Sequence, residues 1–209
     1  MSDRAILFID GNNWFHACKQ CGLKALFALN YAAISEKLVA PRAWVGTRYY
    51  IGGLKQEHKG FREQRQFLSR IQNQDPRITV HYGRIEERPK ANELAIALSS
   101  YLATATLEPP VRAELERLAN EHRRVSFLKE KAADVMLAVE MYRLAVEDRY
   151  EAGYLLSADG DFTPAIEAVR NLGKKIYCAS PMFSYALKNT ANSFIPLAKD
   201  WFAGCFAFE

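Results

Sequence analysis

The chain has 209 residues, 49% of them hydrophobic and 12% aromatic, with four cysteines and a formal net charge of +4. That length suits one large domain or one domain with an insertion, and the apolar content is enough for a packed core. No run of about 18 unbroken apolar residues occurs, which excludes a helical membrane span. The first apolar run is too short for a secretory leader and the cysteine spacing sets no disulfide framework, so a cytoplasmic location is expected.

In chain order, residues 5–9 form a short apolar run ending at Asp10-Gly11, which predicts a buried strand reaching the surface. Helices are predicted over 13–19 and 31–39. Residues 43–51 are rich in β-branched and aromatic side chains and stop at Gly52-Gly53, a strand followed by a breaker. Phe61, Phe67, Leu68 and Ile71 recur at near-helical spacing, and 78–82 reads as a third strand ended by Gly83. Two helices, 91–104 and 111–123, are separated by Glu108-Pro109-Pro110, with the prolines starting the second. They predict a helical insertion over about 88–129, and three roles are open to it: a substrate-gripping arm, a contact in a homodimer, or packing. Alternation then resumes with a helix over 133–146, a strand over 153–156, a helix over 162–171 closed by Gly173, and a last core strand over 175–179. Such alternation implies right-handed βαβ crossovers and a parallel sheet with helices on both faces.

Three acidic segments stand out in that order. Asp10 and Asn13 follow the first strand, Asp134 opens the helix over 133–146, and Asp159 and Asp161 bracket Gly160 just after Leu155-Leu156-Ser157. In an open α/β sheet, groups at the carboxyl ends of neighbouring strands converge on one crevice. Two unit charges about 4 Å apart cost roughly 4 kcal/mol at an effective dielectric near 20. A divalent cation between them offsets that cost, and hard oxygen donors suit Mg²⁺ or Mn²⁺.

Each segment also has an ordinary reading. Asp10 and Asn13 make an Asx turn and a helix cap. Asp161 caps the helix begun by Phe162-Thr163-Pro164. Asp134 favours the positive end of its helix dipole. A calcium loop of the EF-hand kind does not fit, because Pro164 stands where Gly is needed and Arg170 where the closing Glu belongs. Glu140, six residues after Asp134, points roughly 240° around the helix and is a weaker, supporting candidate. Lys131 is placed either to meet a phosphate or to remain solvated.

Residues 41–90 hold eleven Lys or Arg against five Asp or Glu, including Arg42, Arg48, Lys55, Lys59, Arg62, Arg65, Arg70 and Arg84, while the remainder is slightly acidic. A basic segment beside an acidic pocket suits a polyanion approaching a metal; the alternative is a solvated helix face. Trp14, Phe15, Tyr49 and Tyr50 are candidates to stack on a base. The Cys18-Lys19-Gln20-Cys21 pair has no second pair and reads as packing. No Gly-x-Gly-x-x-Gly follows the first strand and no serine elbow occurs, which argues against dinucleotide binding and serine hydrolysis.

Taken together, FIDGNN, EKAADVMLAVEM and LLSADGDFTPAIEAVRNLGKKI resemble the NYN family of PIN-like nucleases, especially its LabA-like branch. The order and spacing match over most of the chain, the helical insertion apart. The resemblance implies a PIN-like three-layer α/β/α sandwich with a central, mostly parallel sheet. It implies a hydrolase of the endoribonuclease type that cuts RNA, single strands favoured, with Mg²⁺ or Mn²⁺. Asp10, Asp134, Asp159 and Asp161 take the metal and catalytic roles. Asn13, Lys131 and Ser157 are expected to serve the substrate, with Asn13 shaping the pocket. Relatives carry Gly where this chain has Ala132, and Asp where it has Glu140; neither change removes the central acids. Two other readings are a non-catalytic RNA-binding or regulatory module and a phosphatase for small phosphate esters.

Overall fold

β1 (Arg4–Asp10) is buried from Ala5 onward, because helices cover both faces of the sheet it centres. The computed structural model describes residues 3–23 and 26–207, with the backbone alone over 87–89 and 125–130. Two compact units divide the chain: Met1–Arg84 with Lys131–Glu209, and Ile85–Glu130.

In the first unit, β1 pairs in parallel with β2 (Ala43–Gly53) on one side and with β5 (Ala152–Leu156) on the other. Outward from these lie β3 (Ile78–Ala91) beside β2, then β6 (Lys175–Ser180) and β7 (Ser193–Pro196) beyond β5, all parallel. The sheet order β3-β2-β1-β5-β6-β7 reverses its winding between β1 and β5, the point where an open α/β sheet opens a crevice at its carboxyl edge.

Alternation along β1 decides what packs where. Ala5, Leu7 and Ile9 share one core with α1 (Gly11–Gln20), α2 (Tyr31–Val39) and α3 (Phe61–Gln72), through Trp14, Ile34, Leu68 and Ile71. Ile6 and Phe8 share the other with α6 (Ala133–Val146), α7 (Thr163–Asn171) and α8 (Tyr185–Thr190), through Leu137, Met141, Ile166 and Leu187. The result is a three-layer α/β/α sandwich of the expected class. Cys18 lies in the first core and Cys178 in the second, both fully buried. Among the described residues no helix is long and apolar enough to cross a membrane.

The second unit contains the end of β3, α4 (Glu93–Leu102), α5 (Pro109–Glu121) and most of β4 (Arg124–Lys131), which lies beside β3. Asn92 caps α4, its Oδ1 accepting from the Leu94 and Ala95 N–H groups at 3.2 and 3.4 Å. Pro109 and Pro110 open α5. Strand at both ends of this pair of helices is not foreshadowed in the sequence, and Gly83 does not end β3. It permits a close approach instead: a Cβ there would lie 2.9 Å from the Ala133 nitrogen and from the Lys131 carbonyl oxygen. α8 and β7 are likewise additions to the expected elements.

Candidate active site

Asp10 is the last residue of β1 and shares the face of Ile6 and Phe8, the face that α6 covers. The chain must turn sharply beside it. A Cβ on Gly11 would lie 2.6 Å from a Tyr49 ring carbon and 2.7 Å from the Tyr50 carbonyl oxygen, so only glycine lets α1 begin there. Asp10 caps α1, its Oδ1 accepting from the Asn13 N–H at 3.2 Å.

β5 delivers the second group. Ile9 pairs with Leu156, which sets Ser157 next to Asp10 across the switch point. The Ser157 hydroxyl donates to Asp10 Oδ2 at 2.9 Å and accepts from the Asp159 N–H at 3.0 Å. Asn13 Oδ1 accepts from the Ala158 N–H at 2.9 Å. Asp10, Asn13 and Ser157 thus tie the loop that carries Asp159 to the end of β1. Ser157, expected on the substrate's side, is fully buried behind Asp10, and its hydroxyl holds the pocket together.

Asp159 Oδ1 accepts from the Asp161 N–H at 2.9 Å and caps a short 3-10 turn over Gly160–Phe162. Asp161 does not cap α7, which has no side-chain cap; it lies inside that turn and is exposed. Asp134, in the first turn of α6, is the fourth acid. α6 begins without a side-chain cap, through Ala132 in the left-handed region at φ 76°. The Gly83 contact described above seats this turn against β3.

Electrostatics link the four acids. Burial, with the Asp134 and Asp159 charges adding to it, pushes Asp10 up to about 6 against the hydrogen bonds from Asn13 and Ser157. Partial loss of water raises the pKa of Asp134, which stays exposed, and the charges of Asp159 and Asp161 add to it. The donor set is all oxygen, which in its chemistry fits Mg²⁺ or Mn²⁺. It is not a ready-made cage: among the described residues no three His, Cys, Asp or Glu side chains are gathered tightly enough to hold an ion as they stand.

Other expected residues lie elsewhere or do other work. Glu140 anchors α6 to the sheet, accepting from the Tyr50 hydroxyl at 2.7 Å with Arg48 Nε 3.6 Å away. His81 stacks on Tyr50 with ring centroids 4.8 Å apart. Lys131 ends β4 immediately before Ala132, and its side chain is half-buried. Of the basic segment, Arg48 is paired with Glu140, and Arg42 donates to the Tyr154 and Tyr177 hydroxyls at 2.8 and 2.9 Å. Arg42 precedes β2 and so lies at the sheet's amino edge, away from the acids. Trp14, Tyr49 and Tyr50 are core residues about 1% exposed, so none of them meets a base; Phe15 alone of that group is partly exposed.

The NYN domain model matches residues 4–198, nearly the whole chain. No curated protein matches it. Among solved structures, a protein of unknown function from Vibrio parahaemolyticus is similar, with a TM-score of 0.57 and 15% identity over 95% of each chain. At that identity the likeness speaks for the fold alone.

Proposed function

The chain belongs to the NYN domain family, whose members are nuclease-like, and from that premise we propose that it is a metal-dependent ribonuclease hydrolysing RNA phosphodiester bonds. The observation that carries this reading is the coupled acid set at the β1/β5 switch point. Loss of water, with the neighbouring acid charges adding to it, raises the proton affinity of Asp10 and Asp134 there, while hydrogen bonds hold Asp10 and the loop of Asp159 in place. Bound Mg²⁺ or Mn²⁺ at Asp10, Asp134, Asp159 and Asp161 would supply a Lewis acid for the phosphoryl oxygens and a water of lowered pKa.

The protein's own part is positional. Asp10 is fixed by two hydrogen bonds and cannot swing freely. Asn13 and Ser157 clamp the loop that presents Asp159. Asp134 and Asp161 are the exposed acids, open to a phosphodiester arriving from solvent, and Lys131 stands just before Asp134 as a phosphate partner. Single-stranded RNA is the favoured substrate, since an unpaired strand can bend to bring its backbone to the acids.

The test is cleavage of labelled RNA, single-stranded DNA and a chromogenic phosphate ester, with Mn²⁺ or with chelator. RNA is expected to be cut, and chelator to abolish the cutting. Asp10→Asn and Asp159→Asn should each lower the rate by about 10²–10³-fold, the equivalent of several kcal/mol of transition-state stabilisation. Wild-type rates in both variants would refute the assignment. One observation favours a second reading, a non-catalytic RNA-binding module: the acids are not already gathered around one point. RNA bound but uncut in every metal would select it.

A further inference from the structure

We propose that the α1–α3 face carries a base-stacking platform, with Phe27 at its top, for a single-stranded RNA whose scissile phosphate lies at the acid pocket; this rests on the ribonuclease reading for the position of the scissile phosphate, not for the binding of the strand.

Phe27 sits on a three-residue 3-10 turn over Leu26–Ala28. Leu26 and Leu29 on either side enter the core, but the Phe27 ring is 59% exposed. Leaving a phenyl ring largely in water forgoes part of the stabilisation its burial would bring. A single exposed apolar residue is ordinary, but this one is held on other rings. The Phe67 ring of α3 meets it edge-on, with centroids 5.2 Å apart and planes at 88°, and Phe15 of α1 is tilted against it at 6.4 Å. His16, exposed, extends the row beyond Phe15 at 5.8 Å. Edge-on support from below fixes a ring while leaving its other surface open to a flat partner.

The surroundings select the partner. A shallow, open depression of about 710 Å³ lies along α3, lined by Arg65, Gln66, Ser69, Arg70, Asn73 and Gln74, with no carboxylate among them. Arg70 is adjacent to the platform, its Nη1 3.4 Å from the Phe27 carbonyl oxygen. An apolar protein segment would be matched by more apolar area and fewer cations. A π-face beside the Arg70 guanidinium, with the Gln66 and Asn73 amides along the same helix and Arg65 further on over the Tyr82 ring, matches a base with its phosphates and sugar hydroxyls.

α1 connects the two sites: Asp10 caps it, and Phe15 is five residues further along, roughly 7–8 Å down the helix axis. The acids lie on the α6 side of the sheet and the platform on the opposite layer, so a strand that engages both crosses the carboxyl edge of the sheet.

The test measures binding separately from cleavage. Fluorescence anisotropy with a labelled single-stranded RNA of ten nucleotides is run in chelator on the full chain, on Phe27→Ala and on Phe27→Trp, with thermal melts confirming each variant's fold. Phe27→Ala should weaken binding about 10-fold or more, as expected for loss of one stacked base. Phe27→Trp should retain it. A single abasic nucleotide scanned along the RNA should weaken wild type at one position and leave Phe27→Ala indifferent there. Equal affinity of wild type and Phe27→Ala, or no binding of RNA by wild type, overturns the platform. RNA that is cleaved with the platform refuted leaves the ribonuclease standing; Phe27-dependent binding without cleavage in any metal leaves the platform standing and removes the enzyme.

Discussion

At the amino edge of the sheet, carboxylates meet cations. Glu151 accepts from the Arg4 backbone N–H at 2.7 Å and from Arg4 Nε at 3.1 Å, and those hydrogen bonds hold its carboxyl down at about 2. Asp75 accepts from Arg77 Nε and Nη2, each at 2.8 Å, and is likewise held at about 2. Lys174 and Asp148 pair beside them. At the carboxyl edge of the same strands, Asp10 faces Asp134 and Asp159 and is pushed in the opposite direction, up to about 6. The same side-chain type therefore adds stability at one end and subtracts it at the other. A cluster that lowers the stability of its own fold is what the proposed metal site would require.

That contrast can be broken by titration. Because folding raises the Asp10 pKa, the folded chain binds more protons than the unfolded one between about 3.8 and about 6, and stability falls as pH rises through that window. In chelator, Asp10→Asn removes the penalty and still caps α1. We expect it to be more stable than wild type at pH 7 by on the order of 2–3 kcal/mol, with the difference gone near pH 3.5, in urea melts. An Asn variant less stable than wild type at pH 7 would sink the comparison.

The amino edge should respond with the opposite sign and a smaller size. Glu151 has a depressed folded pKa, so its contribution is present above the unfolded carboxylate range and lost as pH falls through about 2. Glu151→Gln should cost about 1 kcal/mol at pH 7, the value of a half-exposed, screened pair, and the cost should shrink as pH falls towards 2. The smallest effect asks whether the carboxyl edge stores backbone strain as well as charge. Ala132 holds φ 76° at the start of α6, where glycine carries no Cβ penalty. Ala132→Gly should raise stability by about 1 kcal/mol in the same melts; a loss of stability would mean that this turn is unstrained.

Much of the pocket was legible because its acids end apolar runs. Asp10 after Ile6-Leu7-Phe8-Ile9 and Asp159 after Tyr154-Leu155-Leu156 could only emerge at a strand's carboxyl end. Spacing could not tell how Ser157 bridges them, because its burial depends on the register of two strands far apart in the chain. β7 was missed since it is a four-residue edge strand, half-exposed and closed by Pro196, with no apolar period to detect. β3 beyond Gly83 reads Arg84-Ile85-Glu86-Glu87, too charged to suggest a strand. The aromatic candidates failed for a related reason: a ring's identity says nothing of its exposure. Phe27 hides in an apolar stretch that looks like core throughout, and only the tightness of its three-residue turn brings it outward.

Of the three buried thiols, Cys18 and Cys178 give each helical layer its own reporter once Cys205, buried in the same core as Cys18, is replaced. Burial pushes Cys18 upward, and it pushes Cys178 up to about 12, so neither offers a thiolate to an alkylating reagent while its layer stays closed. Labelling at Cys18 clocks the lifting of α1 from the sheet, and labelling at Cys178 clocks the loosening of the layer opposite. If RNA or a cation braces one side more than the other, the two rates will part company, and the molecule will say which of its faces the ligand grips.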